Sequence, residues 1–411
     1  MKNNFHDYKF SELYDINSGI SSTKEQAGHG APFVTFSDVF NNYFLPDTLS
    51  QKMDTSVKEQ EKCSVKEGDI FLTRTSETLD ELAMSSVAVK NYPHATFSGF
   101  LKRLRPKKKN VTYAKYMAFY LRGQYFRKII DNNATMTLRA SFNEDIFSWL
   151  YLLLPSYNEQ KKIGDWLFSI EQKMQLNNKM NATLEAMAKT LYDYWFVQFD
   201  FPDEHGRPYK TSGGSMTYNE ELGREIPTGW EVIPLKSIAD YNNSLKEVVL
   251  SENYIGIDNM LPNMKGVTPS TYDVPAGSII GFEKRDILIG NIRPYFKKIW
   301  LADFNGGCSP DVLVLHANID SLTEFVYSSL ANDTFFDYDT KGAKGTKMPR
   351  GDKAHIMSFP IAFNQKLAKK FSGIVQNMFI KKGQNVVENC YLTQLRDFLL
   401  PLLMNGQVTF K

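Results

Sequence analysis

The chain repeats itself, and this repeat constrains its fold more than any other feature of the sequence. Leu191–Phe196 (LYDYWF) resembles Leu395–Leu400 (LRDFLL) at an offset of 204 residues. Further upstream the offset grows, in three pairs of similar segments: Asp145–Ser148 with His355–Ser358 at 210, Gly68–Leu72 with Arg285–Ile289 at 217, and Phe10–Leu13 with Leu235–Ile238 at 225. A constant offset followed by a growing one indicates a conserved module joined to a module with variable loops. We infer a tandem duplication of two halves within the 411 residues.

The conserved module has the pattern of a long amphipathic helix. Its apolar residues recur at alternating spacings of four and three, which is typical of a helix that packs along one seam. From Ile163 to Trp195 the first copy would extend roughly 50 Å at about 1.5 Å per residue. Two such seams most simply bury each other. The residues predicted at this interface are Ile163, Leu167, Ile170, Met174, Asn177, Asn181, Leu191, Trp195, Phe196, Leu367, Phe371, Asn385, Leu395 and Leu399.

An antiparallel pair of helices is favoured, because the Gly- and Pro-containing linker then need not run back along the helices. Twofold pseudosymmetry at the offset of 204 places Asn177 near Asn385 and Asn181 near Lys381. The alternative is two unrelated amphipathic helices, each packed on its own domain.

The remainder of each half mixes short β-type runs and turn signals with a helical stretch, which predicts an α+β domain. The fold class is therefore α+β, with two pseudo-symmetric α/β domains separated by two long antiparallel coiled-coil helices. The predicted boundaries are 1–155 for the first domain, 156–200 for the first helix, 201–229 for the linker, 230–362 for the second domain and 363–404 for the second helix.

Positive charge is concentrated in the first domain. The whole chain has a net charge of only +2, yet residues 101–130 carry ten Lys and Arg residues and no acidic residue. Such a segment can neutralise phosphates, although a solvated turn with a basic helix face behind it would look the same. Arg139 aligns with Arg350 at an offset of 211, and either could instead pair with Glu144 or Asp352. The residues predicted to contact DNA are Arg74, Lys102, Arg103, Arg105, Lys107, Lys108, Arg139, Lys284, Arg285, Arg293, Lys297, Lys298, Lys347 and Arg350.

Motifs of common catalytic sites are absent from the sequence. It contains no phosphate-binding P-loop, no HExxH and no GxSxG motif, so no catalytic or metal-binding residue is predicted. Three cysteines without CxxC spacing indicate a reducing compartment. The chain shows neither a signal-peptide pattern nor an apolar run long enough to cross a bilayer. We therefore expect a cytoplasmic protein.

Several segments resemble the specificity subunits of type I restriction-modification systems, the HsdS family. They are Asn158–Gly164 (NEQKKIG), Leu191–Phe196, Phe199–Pro202 (FDFP), Ile226–Trp230 (IPTGW) and Gly68–Glu77. The resemblance covers nearly the whole chain. It implies two target-recognition domains, each reading one half of a split DNA sequence, and helices that set the unread gap.

The resemblance also implies partners and cofactors. The partners would be double-stranded DNA, two methyltransferase subunits that use S-adenosylmethionine, and two restriction subunits that use ATP and Mg²⁺, while this chain would hold no cofactor and no catalytic site. Two other hypotheses remain open at this stage. One is a two-headed protein-binding scaffold, and the other is a nuclease or methyltransferase with an unrecognised active site.

Overall fold

The computed structural model describes residues 5–21, 23–76, 82–133, 140–141, 144–246, 253–268, 274 and 279–409. They belong to two compact units, one of residues 1–176 with 388–411 and the other of residues 177–387. The boundary between the units falls within both long helices, so each unit contains one part of each helix. Within the described residues, no helix is long and apolar enough to cross a membrane.

The described residues of the first unit form four small sheets, two of them with only two strands, and a set of short helices. Its strands are β1 (Phe5–Lys9), β2 (Tyr14–Ser18), β3 (Ala27–Val34), β4 (Lys52–Met53), β5 (Ile70–Thr73), β6 (Thr75–Ser76), β7 (Ser85–Val87), β8 (Thr96–Phe97), β9 (Leu101–Pro106), β10 (Ala140–Ser141) and β11 (Tyr151–Pro155). Its helices are α1 (Phe10–Leu13), α2 (Phe36–Phe40), α3 (Val57–Lys62), α4 (Ala114–Tyr120), α5 (Gln124–Asn133), α6 (Glu144–Trp149) and the first part of α7 (Tyr157–Tyr192). The main sheet is antiparallel in the order β2-β9-β5-β7, and the second has the order β4-β3-β8.

Strand β5 shows why the main sheet lies at the centre of this unit. Successive side chains of a strand point to opposite faces, and both faces of β5 are covered. Ile70 and Leu72 belong to a cluster that includes helix α4, whereas Phe71 packs against Phe97 in a second cluster with a ring distance of 5.2 Å. A strand buried on both faces reads as a continuous apolar run, as the segment IFL does here.

The second unit repeats this plan. Its strands are β12 (Met216–Asn219), β13 (Arg224–Pro227), β14 (Glu231–Pro234), β15 (Ala239–Tyr241), β16 (Leu245–Lys246), β17 (Tyr254–Ile255), β18 (Ile279–Phe282), β19 (Ile287–Gly290), β20 (Ile299–Leu301), β21 (Gly306–Cys308), β22 (Val312–Ala317) and β23 (Pro360–Phe363). Its helices are α8 (Thr323–Leu330), α9 (Asp333–Gly342), α10 (Lys353–Met357) and the first part of α11 (Gln365–Met404). The last part of α7 also lies in this unit, and the last part of α11 lies in the first unit. The sheet β15-β22-β19-β20 matches β2-β9-β5-β7 strand for strand. The predicted duplication is confirmed.

The two long helices are antiparallel in both units. In the second unit, Asn385 Nδ2 donates to Asn181 Oδ1 at 2.8 Å, and Lys382 pairs with Glu185. In the first unit, Arg396 pairs with Glu171 at 2.6 Å, and Lys173 with Glu388 at 3.0 Å. In each unit, residues further along α7 contact residues that come earlier in α11, so the two helices run in opposite directions.

The register of the pair differs from the predicted one by one helical turn. Asn181 was expected beside Lys381, but its hydrogen-bond partner is Asn385, four residues further on. The cause is the offset between the repeats. Buried positions of the two helices match at 208 residues rather than 204: Gln160 with Ala368, Ile163 with Phe371, Leu167 with Val375, Trp195 with Leu403, and Phe196 with Met404. A shift of four residues keeps nearly the same helix face, so the sequence pattern accommodates both alignments.

Candidate nucleic-acid interface

The basic segment of the first domain begins on strand β9, and its first three cations are engaged within the protein. Lys102 Nζ donates to Ser18 Oγ at 2.9 Å. The Arg103 guanidinium is buried, where it donates to the carbonyl oxygens of Lys62 and Ser64, and its burial lowers the pKa. Since β9 lies between β2 and β5 and is covered on both faces, neighbouring side chains on either face meet protein rather than solvent.

Arg105 forms a two-pronged ion pair with a buried carboxylate. Its Nε donates to Asp69 Oδ1 at 2.7 Å and its Nη2 to Asp69 Oδ2 at 2.6 Å, while Nη2 also reaches the Ser64 carbonyl oxygen at 3.0 Å. Asp69 is only 1% exposed. The hydrogen bond with Asp69 raises the pKa of Arg105. Two parallel hydrogen bonds between a guanidinium and a carboxylate are the strongest way in which these two groups pair.

Other cations of the same segment also have protein partners. Arg122 donates to the carbonyl oxygens of Ser85, Val39, Phe40 and Asn42, and burial lowers its pKa to about 10. Lys107 donates to the Ser11 carbonyl oxygen at 2.9 Å. Lys108 lies in the exposed turn that follows β9. A dense run of cations in the sequence is therefore mostly a set of internal hydrogen-bond donors.

A different surface of the first unit exposes a basic and an aromatic side chain together. Arg74 follows β5, and its backbone N–H donates to the Phe100 carbonyl oxygen at 2.8 Å. Both residues are exposed, Phe100 to 60%. The chain beyond Arg74 forms β6, which pairs with β10. Arg139, predicted to contact DNA from the loop before β10, lies outside the described residues.

The second unit has the corresponding surface at the end of β19. Asn291, which occupies the place of Arg74, donates its backbone N–H to the Asp311 carbonyl oxygen at 2.9 Å. The next residue, Ile292, bridges to Arg350 as Thr75 does to Ser141 in the first unit. Ser141, rather than Arg139, therefore occupies the place of Arg350, so the offset of 211 that aligned the two arginines is wrong by two residues.

Arg350 is held at the edge of this surface. Its guanidinium donates to Asp311 Oδ1 at 2.9 Å, although the side chain remains 56% exposed. The partner is neither of the carboxylates considered from the sequence, because Asp352 caps helix α10 and pairs with Lys344. Lys347 is exposed on the same loop. One edge of the guanidinium is thus fixed while the side chain still reaches solvent.

Next to Arg350 the chain adopts an unusual backbone conformation. Arg293 has φ 54° and Lys297 has φ 53°, in the left-handed region that non-glycine residues rarely adopt. Arg293 donates its backbone N–H to the Pro349 carbonyl oxygen at 2.7 Å, which joins this turn to the loop of Arg350. Tyr295 and Phe296 are exposed between them. Such strained positions concentrate at binding sites.

The remaining predicted cations of the second domain have varied positions. Arg285 pairs with the buried Glu324 at 3.0 Å, Lys297 pairs with Asp333 at 2.5 Å, and Lys298 donates to the Ile257 carbonyl oxygen at 2.7 Å. Lys284 is exposed.

The aromatic residues Phe100, Tyr295 and Phe296 were not predicted from the sequence. Their places beside Ser-Gly and Arg-Pro turn signals could have indicated that they lie at loop tips.

Most residues predicted at the helix interface are buried, but they are shared with the domains. Ile163 and Leu167 join the core of the first unit together with Leu403 and Met404. Trp195, Phe196 and Phe371 join the core of the second unit, with Leu191 and Leu367 at its margin. Ile170, Met174, Asn177, Asn181 and Asn385 are buried, Leu399 is partly buried, and Leu395 is 42% exposed. The helices therefore pack on each other, as the paired-helix hypothesis predicts. They also pack on the domains, as the alternative hypothesis predicts.

Comparison with known proteins shows which family the chain resembles. Residues 2–186 match the family model described as "Type I restriction modification DNA specificity domain". The MjaIX specificity subunit of Methanocaldococcus jannaschii is 24% identical, covering 97% of this chain and 92% of the relative. The HindI specificity subunit of Haemophilus influenzae is 22% identical, covering 98% and 100%. Residues 2–186 thus form a type I restriction modification DNA specificity domain, and nearly the whole chain is similar to specificity subunits of type I restriction enzymes.

A solved structure supports the fold of this chain. The crystal structure of the type I restriction-modification S subunit from M. genitalium has a TM-score of 0.61 and 16% identity, and the match covers 97% of this chain and 96% of that one. At this identity the likeness concerns the fold alone. It agrees with the duplicated α+β units and the long helices described above.

Proposed function

We propose that this chain is the DNA-reading component of a type I restriction-modification complex. Each unit reads one half of a bipartite DNA sequence, and the helix pair sets the gap between the halves. The chain contributes recognition and assembly, and the chemistry belongs to its partners.

The observation that carries the proposal is the repeated surface at the ends of β5 and β19. In both units the same backbone hydrogen bond, Arg74 to Phe100 and Asn291 to Asp311, holds the strand end against the neighbouring loop. Both surfaces expose basic and aromatic side chains. Arg is suited to guanine edges and phosphates, and aromatic rings can contact sugars and bases.

Among the predicted DNA contacts, we favour five cations that are exposed or partly exposed. We propose that Arg74 and Lys108 act in the first unit, and that Arg293, Lys347 and Arg350 act in the second. Arg350 is suited to base reading because Asp311 fixes one side of its guanidinium. We assign Arg103, Arg105 and Arg285 a structural role, since their partners are protein carbonyl and carboxylate oxygens.

The partners and cofactors follow from the same proposal. Two methyltransferase subunits, which use S-adenosylmethionine, dock on the helices, and two restriction subunits, which use ATP and Mg²⁺, complete the complex. A cytoplasmic location stays a prediction.

Salt-dependent binding of the full chain to a fluorescent random-sequence duplex tests the DNA surface. Removing one cation that neutralises a phosphate should lower the slope of log affinity against log salt by about one. We expect this decrease in Arg74→Ala and in Lys347→Ala, and an unchanged slope in Lys366→Ala, which removes an exposed lysine of α11. Equal slopes in wild type and all three variants would contradict the proposed surface and favour the protein-binding scaffold.

Selection of DNA from a random pool then separates the two units. Wild type should enrich two short blocks of fixed letters at a fixed spacing. Arg350→Ala should relax letters in one block only, because the exposed face of its guanidinium belongs to one unit. Relaxation of both blocks, or a single uninterrupted block in wild type, would contradict the assignment of one half-site to each unit.

A further inference from the structure

The first unit contains a cavity at the end of the second long helix. Its volume is about 590 Å³, and it lies between the last turns of α11 and the segment joining α4 to α5. Tyr120, Tyr125, Leu153, Leu400 and Met404 form most of its apolar lining, and Asp397 lies at its wall. Concave apolar sites with a few polar groups are typical binding sites.

The second unit has a cavity at the repeated position. Of its lining residues, Tyr192 and Phe196 lie 208 positions before Leu400 and Met404, and Ser329, Thr334 and Ala362 lie 209 positions after Tyr120, Tyr125 and Leu153. Its volume is about 660 Å³. The duplication therefore produced the same concave site twice.

In the second unit, one wall of this site is a hairpin of the chain itself. The hairpin comprises β12 and β13, and Glu221, Leu222 and Arg224 line the cavity. Leu222 packs against the core of the unit. The Arg224 guanidinium donates to the Val197 carbonyl oxygen at 3.3 Å and lies 4.8 Å from the centre of the Phe199 ring. An aliphatic and a basic side chain, two residues apart, thus close the end of α7.

The first unit differs at this place in both shape and chemistry. Its described residues include no such hairpin beside α11. Tyr120, Tyr125 and Leu153 replace Ser329, Thr334 and Ala362, so the lining is more apolar. Tyr125 is 50% and Leu153 is 37% exposed. An exposed apolar concavity of this kind marks an interaction site.

One pair of equivalent positions in the two cavities carries charges of opposite sign. Lys189 lines the cavity of the second unit and pairs with Asp193, whereas the equivalent position in the first unit is Asp397. The Asp397 carboxylate accepts from Arg396 at 2.8 Å and its side chain is 57% exposed. An acidic group beside an apolar cavity favours an occupant that carries both an apolar and a basic side chain.

We propose that the cavity of the first unit is the docking site for a β-turn or hairpin of a partner protein. The docked segment presents an aliphatic side chain to Tyr120 and Met404, and a Lys or Arg two residues further on to Asp397. In the second unit, Leu222 and Arg224 supply such a pair of side chains, and Arg224 there contacts the Val197 carbonyl oxygen and the Phe199 ring. The inference does not depend on DNA binding.

A peptide copy of the hairpin provides the probe. Residues 214–229, closed by an added terminal disulfide and labelled with fluorescein, are titrated with the full chain by fluorescence anisotropy. We expect saturable binding with a dissociation constant on the order of 10 to 100 μM. A peptide with Leu222→Ala and Arg224→Ala should bind at least about tenfold more weakly.

Matched substitutions in the two units locate the binding site. Tyr125→Asp in the full chain should weaken peptide binding at least about tenfold, whereas Thr334→Asp, at the repeated position, should leave it unchanged. Both side chains are exposed, so equal thermal midpoints should confirm that both variants fold. No binding at about 1 mM peptide, or equal effects of the two substitutions, would overturn the proposal. If the wild-type chain self-associates and Tyr125→Asp abolishes this self-association, the occupant of the cavity is a second copy of the chain. That result would also overturn the proposal.

Discussion

Replacing Arg105 by alanine tests whether the basic strand β9 stabilises the fold or binds DNA. The side chain gives Asp69 two charged hydrogen bonds, at 2.7 and 2.6 Å, and Asp69 keeps only the backbone N–H of Lys66 as a further donor among the described residues. Removing one partner of a buried ion pair costs about 3 to 5 kcal/mol, because the remaining charge is uncompensated. The Arg105 side chain is 28% exposed, so water can enter the vacated space. We therefore expect about 3 kcal/mol.

Urea denaturation of the full chain measures this effect through the transition of the first unit. The midpoint for Arg105→Ala should fall, whereas Lys108→Ala, which removes an exposed cation of the adjoining turn, should change the free energy of unfolding by less than about 0.5 kcal/mol. Under conditions where both variants are folded, the salt slope of DNA binding should decrease for Lys108→Ala and not for Arg105→Ala. Wild-type stability of Arg105→Ala with a reduced salt slope would refute the structural role.

Three further predictions concern the helices and one buried carboxyl. Asn385→Ala should destabilise the chain by about 1 to 3 kcal/mol, because it removes the buried donor to Asn181; the Asn181→Ala/Asn385→Ala double-mutant cycle should show a coupling of at least about 0.5 kcal/mol. Gly164→Ala should lower the free energy of unfolding by about 1 to 3 kcal/mol, since a Cβ would lie 2.6 Å from a backbone nitrogen of α4. Gly373→Ala, which has open space around it, should raise the free energy of unfolding by about 0.5 to 1 kcal/mol, and urea denaturation measures both effects. Burial raises the pKa of Asp339 to about 6, so the folded state keeps a proton that the unfolded state loses near pH 4, and stability falls as pH rises from about 4 to 6; relative to wild type, Asp339→Asn should therefore gain about 2 kcal/mol between pH 4.5 and pH 8.

Each of these predictions has a clear contrary result. Additive effects of the two asparagine substitutions would deny that the amides meet. Equal effects of the two glycine substitutions would contradict the close approach of α7 to α4. A pH-independent difference between Asp339→Asn and wild type would show that the carboxyl keeps its ordinary pKa in the folded chain.

The sequence predicted the architecture because the repeat is a global constraint. Four aligned segments identified equivalent strands and helices, such as β5 with β19, since insertions between them changed the offset without disturbing the strands. The helix register was harder. The similarity of LYDYWF to LRDFLL fixed an offset of 204, but burial matches at 208, and a heptad-like pattern hardly distinguishes alignments one turn apart.

Individual site residues were less predictable, for a physical reason. Counting charge along residues 101–130 ignores where each side chain points. Lys102 and Arg103 lie on opposite faces of a strand that is covered on both sides, so neither reaches solvent. Arg350 was correctly placed on an exposed loop, but its carboxylate partner, Asp311, is 39 residues away in the sequence. Pairings over such distances depend on the sheet and not on local sequence.

The most direct test of the central claim is a genome-wide map of methylated adenines in cells that express the chain with its neighbouring methyltransferase subunit. We predict one motif made of two short specific blocks separated by a gap of constant length. Replacing residues 230–362 by the corresponding domain of a relative should change one block and leave the other block unchanged. Methylation without such a split motif, or a domain replacement that changes both blocks together, would contradict the account.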